Sequence, residues 1–269
     1  MGARTAMETM RAATLRPQPR PRELRIPVPG EEIVLRARVE GAGPRSVLLL
    51  HNLCEDIDVW WERGWAQALA RHRRVIAFDA RGHGASTKPT EPFQYTAFSR
   101  VMDALAVIDV LDCQAVDVVG YAMGAWTAMQ LAARMPGRIR SLVVGGTPAT
   151  GQSLTLIRRA LAAGLPAMLA EIERETGPLG EPLRRRFLAN DVRALAAVCA
   201  EDRCDMIEEL SSFDGRAMFY VGEHDPRRPA IESSARRLGW PLRIVPGRDH
   251  FDLGTSGDAL SAVLDFLAG

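Results

Sequence analysis

Six short, almost unbroken apolar runs constrain this chain more than any other feature. They are RSVLLLHN, RRVIAFDARG, AVDVVGY, IRSLVVGG, RAMFYVGEHD and LRIVPGRDH, and several end in Gly, Asp or His. A strand with one wet face alternates apolar and polar residues, whereas a strand covered on both faces reads as a continuous apolar run. Amphipathic stretches lie between most of these runs. In YTAFSRVMDALAVIDVLDC, Phe98, Val101, Met102, Leu105, Ile108 and Leu111 recur at helical spacing. AWTAMQLAARMPG stops at Pro136-Gly137, AIESSARRLG stops at Gly239, and GDALSAVLDFLAG closes the sequence. Gly and Pro in those places end helices. Alternation of this kind predicts an α/β fold, a mostly parallel sheet with helices on both faces. Two strands precede the series, ELRIPV and EEIVLRARVEG, joined at Pro29-Gly30. In the second, Leu35, Ala37 and Val39 alternate with Arg36 and Arg38, which predicts one solvated face.

The length of 269 residues suits one large domain with an insertion. Residues 1–22 are rich in Arg and Pro, with Glu8 the only acid, and predict a flexible tail rather than a secretory signal. The core is expected over 23–149 and 215–269. Between them, 150–214 holds no convincing strand, far beyond ordinary loop length. SLTLIRRALAAGLPAMLAEIERE, EPLRRRFLAN, DVRALAAVCA and RCDMIEEL read there as amphipathic helices. The insertion leaves from a strand end, where open α/β sheets place their binding crevice, so a helical lid is expected in preference to a packing extension of the core.

Charge excludes several classes of partner. Thirty-four basic residues against 33 acidic ones leave a net charge of +1, so neither nucleic acid nor an anionic membrane is an expected partner. No apolar run is long enough to span a bilayer. The four cysteines, Cys54, Cys113, Cys199 and Cys204, form no CxxC pair and fit reduced thiols in a cytoplasmic protein. The histidines show no spacing that would place two metal ligands on one helix face. The glycines form neither a dinucleotide fingerprint nor a phosphate loop. A small-molecule substrate is expected, with no metal and no cofactor. The pattern does not read out the oligomeric state.

One stretch carries the chemistry. VVGYAMGAW runs strand, sharp turn, helix, with Gly120 and Gly124 flanking a tip at Ala122. Small flanking residues let strand and helix pack closely, and the N–H groups that open the helix point towards the tip, where they favour negative charge. The arrangement matches a nucleophile elbow in everything but the nucleophile.

Five segments in order resemble the α/β-hydrolase superfamily, over about residues 22–269: LLLHN, FDARGHGAS, GYAMGA, YVGEHDP and GRDHF. The resemblance implies a Ser-His-Asp triad, with Ala122 in the nucleophile position, Asp225 as the acid and His250 as the base. It implies an oxyanion hole from the N–H groups of Met123 and Leu53. Asn52 replaces the usual glycine after His51 and is expected to keep the loop by tolerating positive φ. Cys54, Trp60 and Trp61 follow on that loop, where relatives line the acyl pocket; packing of a tryptophan in the core is the competing reading. Asp225 could instead cap the helix near Pro229. His83 and Asp79 are expected to shape a turn at the sheet's end.

Alanine has no oxygen to attack with, which leaves three readings. The chain is a deliberate Ser→Ala variant of a hydrolase of esters, lactones or related carbonyl compounds. Or it is a natural enzyme, a lyase or cofactor-free oxygenase, in which His250 and Asp225 act as a general base. Or it is a non-catalytic ligand-binding protein. The Leu, Ala and Met of the insertion suggest an uncharged, largely apolar substrate, and its arginines could meet a carboxylate at the rim.

Overall fold

A computed structural model describes residues 21–269. The expected tail lies outside the described residues except for its last two positions, and Arg22 already opens the first strand. Eight strands form one sheet: β1 (Arg22–Pro27), β2 (Val34–Glu40), β3 (Arg45–Leu50), β4 (Arg73–Phe78), β5 (Val116–Tyr121), β6 (Ile139–Gly145), β7 (Arg216–Gly222) and β8 (Leu242–Val245). Their spatial order is β1-β2-β4-β3-β5-β6-β7-β8. β1 and β2 pair antiparallel, β2 meets β4 antiparallel, and every other neighbour is parallel. The six apolar runs are therefore the parallel strands; β3 to β7 are covered on both faces, as continuous apolarity requires, whereas β8, at the sheet's edge, exposes Arg243 and buries only Val245. Along β5 every residue is buried.

Two apolar layers flank the sheet. One packs the helices Ala97–Val110 and Met123–Arg134 against residues such as Leu48, Val118 and Phe219. The other packs Trp60, Trp65 and the C-terminal helix Gly257–Ala268 against Leu49, Val119 and Tyr220. Removing each such side chain from water contributes about 1.5–3 kcal/mol. In the helix Ala97–Val110 the buried apolar stripe begins at Val101, one turn later than the spacing predicts, and Phe98 stays exposed. Thr96 caps that helix by accepting from the Ser99 N–H. On β2, Leu35, Ala37 and Val39 face the core. Arg36 and Arg38 on its other face are not freely solvated: they sit half-buried in ion pairs with Glu23 and Asp58.

Between β6 and β7 the chain builds five helices, Thr155–Ala162, Leu165–Thr176, Glu181–Leu188, Val192–Val198 and Ile207–Ser211. The long apolar-periodic stretch breaks at Gly164, whose φ of 92° leaves the helical region. The inner faces of the first four form a third apolar cluster with Cys54, Tyr95 and Met123, so that part of the insertion sits over the ends of β3 and β5; the fifth packs Ile207 and Leu210 into the first layer of the core instead.

Candidate active site

β5 runs into the helix Met123–Arg134 through a turn of one residue, Ala122, at φ 47° and ψ −102°. Residues with a Cβ rarely adopt that conformation, and its cost persists only where the surroundings enforce it. Here the Ala122 N–H donates to the Gly145 carbonyl at 2.8 Å, and its own carbonyl accepts from the Trp126 N–H at 3.0 Å. The flanking glycines are obligatory by contact. A Cβ at Gly124 would lie 2.1 Å from the Leu50 carbonyl oxygen, and one at Gly120 would lie 2.6 Å from the Ala125 backbone.

His250 and Asp225 meet in front of this turn. The loops after β8 and β7 carry them, and His250 Nδ1 lies 2.7 Å from Asp225 Oδ2. Both residues are buried. Asp225 also accepts the Arg227 N–H at 2.9 Å through Oδ1, which closes a turn ahead of the helix Arg228–Leu238; it does not cap that helix, whose N-cap is Arg227 with no side-chain cap bond. The His250 ring stacks on Tyr121 at 5.3 Å between centroids, and the Tyr121 hydroxyl donates to the His250 carbonyl. Burial holds the imidazole below its ordinary pKa, with the Arg227 cation adding to the effect and Asp225 opposing it. Burial alone would raise the Asp225 carboxyl, but the His250 hydrogen bond and Arg227 outweigh it and hold it below the usual range. At neutral pH the pair is thus a neutral imidazole oriented by a carboxylate, with Nδ1 as the donor and Nε2 free to accept.

A chamber of about 880 Å³ opens above the turn, with Ala122, His250, Asn52, Leu53 and Cys54 on its floor and Ile157, Met168, Ile172 and Phe187 of the insertion on its roof. The oxyanion donors differ from expectation at one of two positions. The Met123 N–H, first of its helix, makes no hydrogen bond among the described residues. The Leu53 N–H donates to the side chain of Asn52 at 2.7 Å. Asn52 is not at positive φ; the left-handed residue of the loop is Cys54, at φ 62°. The turn closes there because the Glu55 N–H returns to the Asn52 carbonyl at 3.2 Å and Asn190 holds the Cys54 carbonyl at 3.0 Å.

Cys54 lines the chamber, but burial pushes its thiol far above the ordinary range, with Cys199 and Glu55 adding to the effect. A thiol kept protonated does not replace the missing hydroxyl as nucleophile. Trp60 and Trp61 do not line the chamber. Adjacent residues on a helix diverge by about 100°, and in Asp58–Glu62 neither direction points upwards. Trp60 packs edge-on to Trp65 at 5.6 Å in the core, and Trp61 donates to Glu40 at 2.5 Å under the Arg38 guanidinium.

Asp79 and His83 hold the end of β4. Asp79 accepts the Ile57 N–H at 2.8 Å and the Ala85 N–H at 2.7 Å. Fully buried, His83 leaves Nε2 without a partner, and burial beside His51 holds its pKa well below 6.5. The folded pKa values of His83 and His250 both lie below the unfolded value of about 6.5. The unfolded chain therefore takes up their protons first as pH falls. Their contribution is complete above about pH 6.5 and declines below it, by up to about 1.4 kcal/mol per pH unit for each histidine. Urea midpoints at pH 7.5 and 5.5 should show that loss. A His83→Gln variant should lose less, and equal slopes for the two proteins would contradict the assignment to His83.

Arg100 and Trp126, which no sequence pattern marks, lie beside the elbow together with Arg203, one of the arginines of the insertion; arginines that far apart in sequence carry no shared signal. No helix among the described residues is long and apolar enough to cross a membrane. Among the same residues, no group of three His, Cys, Asp or Glu side chains is placed to hold a metal ion.

Comparison with known proteins agrees with this fold. A family model described as alpha/beta hydrolase fold matches residues 45–195. An uncharacterized protein of Mycobacterium tuberculosis is 32% identical over 257 residues, covering 80% of this chain and 72% of its own. The 3-oxoadipate enol-lactonase 2 of Acinetobacter baylyi is 28% identical over 223 residues, covering 81% and 76% respectively. The crystal structure of the enol-lactonase from Burkholderia xenovorans superposes with a TM-score of 0.77 at 27% identity, covering 91% of this chain and all of the other.

Proposed function

This chain belongs to the α/β-hydrolase family, and from that premise we propose that it binds an ester, lactone or related carbonyl compound with the carbonyl seated over Ala122. The site is a Ser-His-Asp hydrolase site in which alanine stands at the nucleophile position. One observation carries the reading: a strained turn ends in a methyl group in the chamber that His250 also lines, and Asp225 holds His250 at 2.7 Å. With serine at the tip, the hydroxyl would attack, His250 would take its proton, and the Met123 N–H would receive the developing charge. With alanine, the first step has no attacking atom, so the chain holds its substrate and turns it over slowly at most. The helical insertion acts as a lid, and its Ile157, Met168, Ile172 and Phe187 suit a largely apolar small molecule. The enol-lactonases among the similar proteins weigh towards a lactone.

A second reading has its own support. With the Leu53 N–H engaged by Asn52, one oxyanion donor is left, which suits tetrahedral chemistry poorly. It matters less if His250 and Asp225 act directly as a general base on a substrate with an acidic proton.

A fluorophosphonate ester separates the two. Mass spectrometry of the Ala122→Ser protein should find one phosphonate adduct on residue 122, and the unmodified chain should carry none. Loss of the adduct on adding His250→Ala supports the triad. An inert Ala122→Ser protein would overturn the hydrolase reading in favour of the general base.

A further inference from the structure

Beside the elbow lies a second chamber of about 180 Å³, which shares Leu53, Leu154 and Arg203 with the large one. Arg100 and Arg203 both line it, and neither has a carboxylate within ion-pair distance among the described residues. Arg100, only 7% exposed, donates to the carbonyls of Tyr95 at 3.2 Å and Val198 at 2.9 Å. Arg203 contacts only neutral oxygens, Thr147 Oγ1 at 3.2 Å and Gln152 Oε1 at 3.3 Å. Both guanidinium carbons lie close to one indole, at 5.9 Å and 5.8 Å from the Trp126 ring centroid. The Trp126 Nε1 is itself buried without an acceptor. The two acids of the wall are exposed side chains, Glu201 and Asp202. Asp202 is already committed to Arg158 and to the Leu154 N–H, both at 2.8 Å.

Two like charges beside one ring oppose each other. Burial, with Arg100 and Arg227 nearby, pulls Arg203 down to about 10, still protonated at neutral pH. A buried cation without a counter-charge is costly, and so is an indole N–H without an acceptor. A single anion in the chamber would answer both arginines. Its volume takes a carboxylate and a short length of chain, not a whole substrate.

We propose that this side chamber is an anion pocket, and that the carbonyl compound seated over Ala122 carries a carboxylate which Arg100 and Arg203 hold there. This rests on the carbonyl-binding reading of the Ala122 site, and it narrows the substrate class to oxo-acid esters, lactone acids and their like. Shared walls let one molecule reach both places: its apolar part lies under the insertion, its carbonyl over the turn, and its acid end past Leu53 and Leu154.

Calorimetric titration of the unmodified chain tests this without any turnover. The probes are monomethyl esters of the straight-chain C4 to C8 diacids, each paired with its neutral dimethyl ester. At least one half-ester should bind about 10- to 100-fold more tightly than its diester, the range for a charge-assisted hydrogen bond. Arg203→Gln should remove most of the preference, weakening the half-ester by far more than the diester. Arg203→Lys, which keeps the charge and loses the fork, should retain part of it and serves if the glutamine variant does not fold. Acetate distinguishes the substrate's own carboxylate from a free anion, and it should compete with the half-ester. No preference in any pair, an equal loss for both partners in Arg203→Gln, or acetate binding without competition would each overturn the proposal. An inert Ala122→Ser protein would not, because binding is read on the chain as it stands.

Discussion

Replacing Ala122 with serine is expected to raise kcat/KM for 4-nitrophenyl butyrate by about 10³ to 10⁴. The starting point is the cost of deleting a triad serine, roughly 10⁶ in turnover where the rest of the site is complete. Here the rest is not complete. The Asn52 side chain holds the Leu53 N–H at 2.7 Å, and one missing oxyanion donor costs roughly 10² to 10³. The difference leaves the stated gain. Serine should enter without cost in backbone strain, because the turn already stands at φ 47° with alanine and the new atom points into the chamber. Asn52→Gly in the serine background frees the Leu53 N–H and should add a further factor of about 10², up to the full donor contribution. Stopped-flow release of nitrophenol reads both variants. A serine variant no faster than the unmodified chain would mean that the pair at 225 and 250 was never positioned for acyl transfer. A double variant no faster than the single one would mean that Asn52 swings away when substrate binds.

Much of this architecture is legible in the chain because burial on both faces leaves a coarse mark. The six runs are the six parallel strands; five are covered on both faces, and the sixth, the edge strand β8, is the one broken by an exposed charge, Arg243. Gly120 and Gly124 are legible for a related reason: contacts of 2.6 Å and 2.1 Å exclude any Cβ, so residue identity itself reports the geometry. Side-chain direction leaves no such mark. Trp60 and Trp61 follow a loop that reaches the chamber, yet a short helix turns both away from it. Asn52 looks like a tolerated substitution in sequence, and only its rotamer shows that it occupies the neighbouring donor. The loop's strained position also moves to Cys54, because a turn closes where its hydrogen bonds fall and not where the substituted residue stands. Arg100 and Arg203 are the hardest to read. Arginine is ordinarily a surface residue, and their meeting at one indole depends on the insertion folding back over the helix Met123–Arg134.

Asp225→Asn, made in the Ala122→Ser background, should erase the serine gain and return turnover to about the level of the unmodified chain. The change is nearly isosteric, and the asparagine oxygen can still accept the Arg227 N–H that Asp225 Oδ1 now accepts at 2.9 Å. That bond fixes which way the amide points. Its NH₂ must then occupy the place of Oδ2, 2.7 Å from His250 Nδ1, and a donor there obliges Nδ1 to accept. The imidazole proton moves to Nε2, the nitrogen that must be bare to take a proton from the serine hydroxyl. In a complete triad this wrong tautomer costs roughly 10⁴, as much as the gain it would cancel. Asp225 supports His250 through orientation and not through the fold alone, so the melting temperature should change far less than the rate. Rate and melting must be measured together. A variant that stays folded yet keeps the serine gain would show that the carboxylate does not set the imidazole tautomer. If it unfolds, Asp225→Glu replaces it: the longer acid retains the correct tautomer and should keep part of the gain that asparagine loses. Loss of the whole gain with glutamate, in a folded protein, would place the requirement on distance instead of on tautomer.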